Sequence, residues 1–469
     1  MGNVGISFGS PTSGQGFDVS STVSQIVTNL QAVETPWKNQ LTALQSQDTA
    51  LTSIGTDLSS LSTALQSLTD FQGVFSGKEG SSSDTSVIAL TNATSAAVAG
   101  THTVVVTQTA KTYSYASGDI SASDTLSGSL TIGGQTITIS DGTATDSSGN
   151  LIPQNNTLAT LAAYINAGNY GVTATVPTDS SGSRLSLVSN TSGASGSVAI
   201  ASGSLTDSTT GSAISITQAQ AGQDAMFSVD GVSMTSGTNT VTTALPGVTM
   251  QLLSAPAGNS VQVEITNNNS QVESTVSSFV DAYNTVIKDL NAQEGSNSSG
   301  SGEPLYGNPA IAMLQEQLQQ AMNFTQSSGA ITSLSQLGIT PSTSYDGTLT
   351  LDTSSLDSAL NSNYQDAMNF FQASGSSTSF GANLSSVLDN LSNSAPNGLI
   401  YLSLQQNSAQ ETSLNKNISD QETLISAQKT QLTTELNQAN YTLQEIPQQI
   451  QYVDEIYSAI SGYNKNSNG

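Results

Sequence analysis

The chain of 469 residues contains no cysteine and a single histidine, His102. Without cysteine it cannot form a disulfide, use a thiol nucleophile or bind a metal through thiolates. His102 stands between threonines in a strand-like segment, with no motif around it, so neither Ser-His catalysis nor a histidine metal site has a candidate constellation. We therefore expect no cofactor and no metal.

Charged residues are scarce, and most of them are acidic. They make up 9% of the chain, and 8 Lys and Arg stand against 34 Asp and Glu, which gives a formal net charge of −26. The cations are scattered singly, whereas a nucleic-acid groove needs cation clusters that neutralise phosphates. The dispersed acidic excess favours solubility. We expect no nucleic-acid partner.

Long apolar runs and aromatic residues are also few. No stretch of about 18 apolar residues occurs, so we expect no membrane insertion, and the N-terminal residues lack the pattern of a standard secretory signal. A glycosidase needs two carboxyl groups across a cleft, usually beside stacking aromatics, and the one tryptophan, Trp37, lies in a predicted helix. The sequence predicts a protein that is not an enzyme, with an extracellular glycosidase kept as an open alternative.

Both ends of the chain show helical periodicity. Apolar residues from Leu51 to Leu68 follow steps of three and four, which is a heptad seam. The pattern predicts helices over 19–33 and 36–71, with Asp18 and Thr35 as their N-caps. A second seam extends from 432 to 460 and continues past Pro447, where we expect a kink.

The middle of the chain, about 78–268, alternates in the manner of β-strands. Gly133-Gly134 and Asp230-Gly231 predict two-residue hairpin turns, and one short helix is predicted near 158–168. The predicted fold is α+β and multidomain, with terminal α-helical coiled-coil legs and inserted β-rich head domains. The predicted domains are a terminal helical leg with flexible ends (1–45 and 425–469), a helical coiled-coil leg domain with a small β element (46–77 and 270–424), a β head domain (78–110 and 222–269) and a distal β-rich head domain with one short helix (111–221).

The two terminal apolar stripes require partners. A helix cannot bury its own stripe, and each buried Leu or Ile contributes roughly 1.5–3 kcal/mol. We therefore predict that the ends pair with each other or with copies in an assembly. Trp37 is interpreted either as a core anchor or as an interface residue exposed until assembly. The predicted interaction residues are Val23, Ile26, Leu30, Trp37, Leu432, Leu436, Leu443, Ile446, Ile450, Val453 and Ile460.

Several segments, in order along the chain, resemble the bacterial flagellar filament cap protein family, also called flagellar hook-associated protein 2. They are GFDVSSTVSQIVTNLQAVETP (16–36), GTHTVVVTQTAKTYSYAS (100–117), NTLATLAAYINAGNYGVTATV with SRLSLVSNTSGASGSVAI (156–176, 183–200), QDAMFSVDGVSMTSGTNTVTTALPGVTMQLL (223–253), FVDAYNTVI (279–287), and LGIT with YDGTLTLD (337–340, 345–352). The C-terminal seam completes the order.

The resemblance implies a structural assembly protein. Members of this family leave the cell unfolded through the flagellar export channel. A ring of copies, commonly about five, caps the distal end of the filament and promotes the folding and incorporation of exported flagellin. The implied partners are further copies of the chain, flagellin, neighbouring flagellar axial proteins and a cytoplasmic export chaperone. The implied localisation is secreted, at the filament tip.

Two other functions remain open at this point. A cell-surface adhesin would bind host mucin or glycan through the Ser/Thr-rich β head, as an isolated fragment of about 78–268. Another filament-junction protein of the same axial family would share the terminal helices but would lack the inserted head motifs.

Overall fold

The computed structural model describes residues 16–296, 298–372, 378–392 and 395–461. They divide into two compact units: a helical unit, formed by the described residues up to Asp70 and from Glu273 onward, and a β unit over Phe71–Val272. The β unit is thus an insertion between two helical segments, which confirms the predicted multidomain α+β fold. The finer division into four domains stays a prediction. The predicted flexible ends fall almost entirely on residues 1–15 and 462–469, which lie outside the described residues.

Eight α-helices are formed by the described residues: α1 (Val19–Gln31), α2 (Thr35–Thr69), α3 (Leu158–Ala167), α4 (Asn269–Gln293), α5 (Pro309–Met322), α6 (Thr353–Phe371), α7 (Phe380–Leu391) and α8 (Leu399–Ser461). Short 3-10 helices cover Val74–Ser76, Ala194–Gly196 and Leu334–Leu337.

The helix ends test the predicted caps. Asp18 caps α1, since its carboxylate accepts a hydrogen bond of 3.0 Å from the Ser21 N–H. The prediction for Thr35 is wrong: Thr35 is the first residue of α2, and the N-cap position is occupied by Glu34, which makes no side-chain cap bond. Glu34 itself has helical backbone angles, so only a tight turn separates α1 from α2.

Helix α8 continues through Pro447 as one helix of 63 residues, which corresponds to a length of about 95 Å. Proline removes one backbone donor, but the apolar residues keep the same spacing on both sides of Pro447. The prediction that the helix continues past Pro447 is confirmed, and the kink expected there stays a prediction.

The core of the helical unit has two parts. The apolar face of α2 is fully buried from Leu51 to Leu68, and α2 packs against α7 and α8. Beside it lies a group of aromatic rings centred on Phe380, which stacks on Phe370 with ring centroids 5.3 Å apart. Phe279 and Phe371 meet Phe380 edge-on, both at 5.9 Å. Helix α7 in this core has no counterpart among the predicted elements.

The strands are β1 (Lys78–Ser82), β2 (Ile88–Ala93), β3 (Gly100–Gln108), β4 (Thr112–Ser117), β5 (Leu126–Ser127), β6 (Ser129–Ile132), β7 (Gln135–Thr138), β8 (Val172–Thr175), β9 (Thr178–Asp179), β10 (Gly182–Ser183), β11 (Ser186–Ser192), β12 (Ile200–Ala201), β13 (Thr206–Asp207), β14 (Ile216–Gln220), β15 (Ala225–Val229), β16 (Val232–Ser236), β17 (Thr240–Val241), β18 (Val248–Leu252), β19 (Ser260–Asn267), β20 (Ile339–Pro341) and β21 (Leu349–Leu351). The last two form a small antiparallel pair in the helical unit.

The β unit contains two separate hydrophobic clusters. The first contains residues of a five-stranded sheet in the order β1-β19-β3-β15-β16 and of a three-stranded sheet in the order β17-β18-β2. The second contains residues of a four-stranded sheet, β14-β4-β11-β8, of a three-stranded sheet, β12-β6-β7, and of α3. All of these pairings are antiparallel.

Local turn chemistry explains the hairpins. Gly133 and Gly134 both have positive φ and join β6 to β7, and Asp230 and Gly231 do the same between β15 and β16. Both predicted hairpins are therefore confirmed, because two-residue turns of this kind require positive φ at both positions.

Candidate assembly surface on the terminal helices

The two ends of the chain meet along α8. The Phe17 N–H donates to Asn440 Oδ1 at 2.8 Å, and Lys38 Nζ lies 3.5 Å from Glu422 Oε1. Residue numbers increase along α1 and α2 in the direction in which they decrease along α8. Helices α1 and α2 therefore run antiparallel to α8. Both α1 and α2 pack against α8.

A charged network fixes the first turn of α2 on this face. Glu34 is almost fully buried, with a side-chain exposure of 1%, and its Oε2 lies 2.8 Å from Lys38 Nζ. The hydrogen bond that Lys38 donates to the Glu34 carboxylate raises the pKa of Lys38. Oε1 of Glu34 has no hydrogen-bond partner among the described residues. Lys38 therefore connects a buried carboxylate on α2 to an exposed one on α8.

Further along, the α2–α8 seam contains a polar layer. Asn407 replaces a leucine or isoleucine in the buried row of α8 and donates from Nδ2 to Asp48 Oδ1 at 2.7 Å. Next to this bond is an open cavity of about 490 Å³ between α2, the start of α5 and α8. Its polar lining consists of Gln40, Gln47, Tyr306, Asn308, Ser403, Gln406, Asn407 and Gln410. A lining of neutral amides and hydroxyls offers hydrogen bonds to a bound molecule.

Beyond Asn440, α8 carries an apolar row that we call the terminal stripe: Leu443, Ile446, Ile450, Val453, Tyr457 and Ile460. Steps of three and four place these side chains on one side of the helix. The first two are half-buried, whereas Ile450, Val453 and Ile460 are 43%, 64% and 82% exposed. A row of large apolar side chains exposed on one helix face is typical of an interaction surface.

The predicted interaction residues differ in burial. Val23 is buried in the packing of α1. Seven others are half-buried: Ile26, Leu30, Trp37, Leu432, Leu436, Leu443 and Ile446. The remaining three, Ile450, Val453 and Ile460, are exposed. Tyr441, Tyr452, Ile456 and Tyr457 are exposed on the same part of α8 and were not among the predicted residues. The signal for three of them is weak, because Tyr441, Tyr452 and Ile456 lie off the heptad.

In the described part of the chain, no three His, Asp or Glu side chains come together as a possible metal site. His102 pairs with Asp230 through an Nδ1–Oδ2 contact of 2.7 Å, and Asp230 also accepts the Thr103 N–H at 2.8 Å, so this pair stabilises the β15–β16 turn against β3. None of the helices in the described ranges combines the length and the apolarity needed to cross a bilayer.

These features define a class of protein: one with paired helical ends, an inserted β region and a row of exposed apolar side chains at the end of its last helix. Comparison with known proteins shows which family within this class the chain resembles. The family model of the flagellar hook-associated protein 2 N-terminus matches residues 15–113, and the model of the same family's C-terminus matches residues 222–448.

Comparison with individual relatives indicates the same family. The chain is 28% identical to the B-type flagellar hook-associated protein 2 of Pseudomonas aeruginosa over 322 residues, which cover 62% of this chain and 65% of the relative. It is 29% identical to the polar flagellar hook-associated protein 2 of Vibrio parahaemolyticus over 32% of this chain and 23% of the relative. The matches thus span less than two thirds of the length of these relatives.

One solved structure is similar over most of the chain. The crystal structure of the D1-D2-D3 domains of the Escherichia coli flagellar cap protein superposes with a TM-score of 0.51 at 25% identity, covering 76% of this chain and 99% of that one. The chain belongs to the flagellar hook-associated protein 2 family. This membership confirms the resemblance drawn from the sequence and the predicted localisation at the bacterial flagellum.

Proposed function

We propose that this protein caps the distal end of the flagellar filament as a homo-oligomeric ring of about five copies and promotes the folding and incorporation of exported flagellin. Family membership supports this function, as does the similarity to the E. coli protein, which is described as a flagellar cap protein. The comparisons do not favour the adhesin alternative.

The observation that carries the proposal is the exposure of the terminal stripe. The heptad pattern of α8 continues to Ile460, beyond the Phe17–Asn440 bond, and its apolar side chains are exposed from Ile450 onward. This exposed part of the stripe would pack against another copy of the chain or against the filament end. Each exposed Ile or Val gains roughly 1.5–3 kcal/mol on burial, so a few such contacts hold a leg while still allowing release and re-docking.

The other partners follow from the same surface. Flagellin and neighbouring axial proteins would meet the legs at the filament tip, where this secreted protein is proposed to act. Before secretion, a cytoplasmic export chaperone would cover the terminal stripe, because an apolar helix face fits into a groove of a partner. The half-buried Ile26, Leu30 and Trp37 on α1 and α2 extend the proposed surface.

The test introduces one charge into the stripe. Ile450→Asp places a carboxylate where the proposal requires an apolar contact, and Gln448→Asp adds the same charge about 160° away around the helix. Purified variants are mixed with flagellin and examined by electron microscopy for density at one filament end, and their oligomeric state is measured by analytical ultracentrifugation.

We expect Ile450→Asp to weaken ring formation and capping at least tenfold in the required protein concentration, because burial of an unpaired charge is costly. Gln448→Asp should behave as the unmodified chain. The helical unit and β unit should remain folded in both variants, as judged by circular dichroism. Capping by Ile450→Asp at the concentration of the unmodified chain would refute the role of the stripe.

A further inference from the structure

Strand β16 forms an unprotected edge of the five-stranded sheet in the β unit. It is the last strand in the order β1-β19-β3-β15-β16, and among the described residues it pairs with β15 alone. Its sequence, VSMTS, contains no charged residue and no proline, and no bulge interrupts its register with β15. Charges, prolines and bulges are the features that usually keep an edge strand from pairing with another chain.

The opposite edge of the same sheet is protected. Strand β1 begins with Lys78 and Glu79, and it packs beside β2 of the three-stranded sheet. Charged side chains and a neighbouring strand both oppose the addition of a further strand at this edge. The contrast between the two edges indicates that β16 is the one available to a partner strand.

The register of the β15–β16 hairpin determines which backbone groups of β16 point outward. Val229 and Val232 flank the two-residue turn and form its first hydrogen-bonded pair. Hydrogen-bonded and non-hydrogen-bonded pairs alternate along an antiparallel ladder, so the backbone groups of Ser233 and Thr235 point away from β15. Both residues are exposed. Within the described ranges, no backbone hydrogen bond uses their N–H or C=O groups.

Apolar side chains at this edge are also incompletely covered. Met234 packs against the first hydrophobic cluster of the β unit but is only partly buried, and Val232 is 64% exposed. Their partners on β15, Phe227 and Val229, are buried in that cluster. A strand added beside β16 would cover Val232 and Met234 and extend the cluster past its present margin.

We propose that β16 pairs with β16 of a second copy of the chain, antiparallel and around a two-fold axis at Met234. Ser233 then lies opposite Thr235 of the second copy, and the outward groups of the two residues exchange two backbone hydrogen bonds. The two-fold axis repeats these bonds on the other side of Met234. The segment is therefore self-complementary, and the sheet continues across the contact into the sheet of the second copy by β-strand addition.

Charge favours this place of contact between copies. Each copy carries a formal net charge of −26, so contact between acidic surfaces is repulsive, whereas β16 brings two uncharged segments together. A two-fold contact uses the same patch on both copies and therefore lies outside the interfaces of a single cyclic ring. It joins copies that are not yet in a ring, or copies of two rings, and does not depend on the proposed capping function.

The experiment uses introduced cysteines, because the chain has none of its own. Met234→Cys brings two thiols together across the axis, at the Cα separation of about 4.5 Å of a non-hydrogen-bonded pair, which a disulfide can span. Ser233→Cys and Thr235→Cys are the matched controls. Each is out of register with its own copy by two residues, more than about 7 Å, and cannot be bridged. Full-length variants are oxidised at low concentration, and disulfide dimers are measured on non-reducing gels.

A second variant removes one of the proposed hydrogen bonds. Thr235→Pro deletes an N–H that points away from β15, and proline is tolerated at such edge positions. In the Met234→Cys background it should lower the dimer yield roughly tenfold, because the two-fold axis doubles the loss. Circular dichroism and urea denaturation check that the β unit stays folded, and the comparison of the three cysteine variants stands without this variant.

We expect Met234→Cys to form at least roughly ten times more disulfide dimer than either control, since only this position faces itself across the axis. Equal yields from the three cysteine variants would indicate random collision and overturn the proposal. Absence of a dimer from Met234→Cys would also overturn it, and would leave the edge to a strand of a different protein. A yield that a folded Thr235→Pro variant does not change would exclude pairing through the backbone of β16.

Discussion

Truncation of Phe380 to alanine should destabilise the helical unit and leave the β unit unchanged. The ring of Phe380 is completely buried and lies within 5.3–6.4 Å of four other phenylalanine rings, measured between centroids. Loss of a buried phenylalanine costs about 3–5 kcal/mol, because the cavity cannot close completely. We expect the cost for Phe380 at the upper end of that range, because each of its four aromatic pairs adds stabilisation beyond that from the buried area.

This loss of unfolding free energy lowers the melting temperature of the helical unit. For a unit of this size, 1 kcal/mol corresponds to a shift of roughly 2–4 °C, so the helical transition should fall by about 6–20 °C in differential scanning calorimetry. The matched control is Phe227→Ala, which truncates a buried phenylalanine in the first cluster of the β unit. That variant should lower the other transition instead.

The two variants test whether the helical unit and the β unit have independent cores. If the units have independent cores, each variant moves one transition. A fall of less than about 3 °C for Phe380→Ala, or equal movement of both transitions in either variant, would refute a helical core centred on this ring.

Two further predictions concern the β unit. The hydrogen bond from His102 holds the pKa of Asp230 below its ordinary value, so its stabilisation is present above about pH 4 and is lost as the pH falls; Asp230→Asn should lower the urea midpoint at pH 6 and not at pH 3. Gly128 has a φ of +92°, and an added Cβ would lie 2.0 Å from the backbone oxygen of Ser204, whereas Gly134, with a φ of +82°, faces open space. Gly128→Ala should therefore destabilise the unit far more than Gly134→Ala, whose cost is limited to about 1–2 kcal/mol of left-handed strain, as measured by equilibrium denaturation.

Features controlled by neighbouring residues were accessible from the sequence. The hairpin at Gly133-Gly134 and the cap at Asp18 depend on residues within a few positions of each other, and the heptads of α2 and α8 depend on spacing alone. Helix α7 was not predicted, since its 12 residues contain only three buried leucines and end in polar segments. The residue type of Thr35 predicts an N-cap, but Glu34 before it already has helical angles.

Features that depend on long-range packing were not accessible. Asn407 has the appearance of a surface residue until its bond with Asp48 is seen. Heptad spacing predicts which face of a helix is apolar, but it does not predict which helix will lie against that face.

The burial of the side chains in the apolar row of α8 decreases from the start of the helix to its end. Ile400 is fully buried, the row from Asn407 to Ile425 is buried but interrupted by a polar layer, and exposure then increases steadily to Ile460. Apolar residues recur along the whole of this path, so the change in burial reflects the packing around the helix rather than a loss of apolar side chains. A buried polar position in such a seam specifies register at a cost in stability, which suits a helix that must find one alignment with α2. The exposed end keeps an apolar pattern with no described contact to fill it, and the proposed contact with another copy of the chain or with the filament end would fill it.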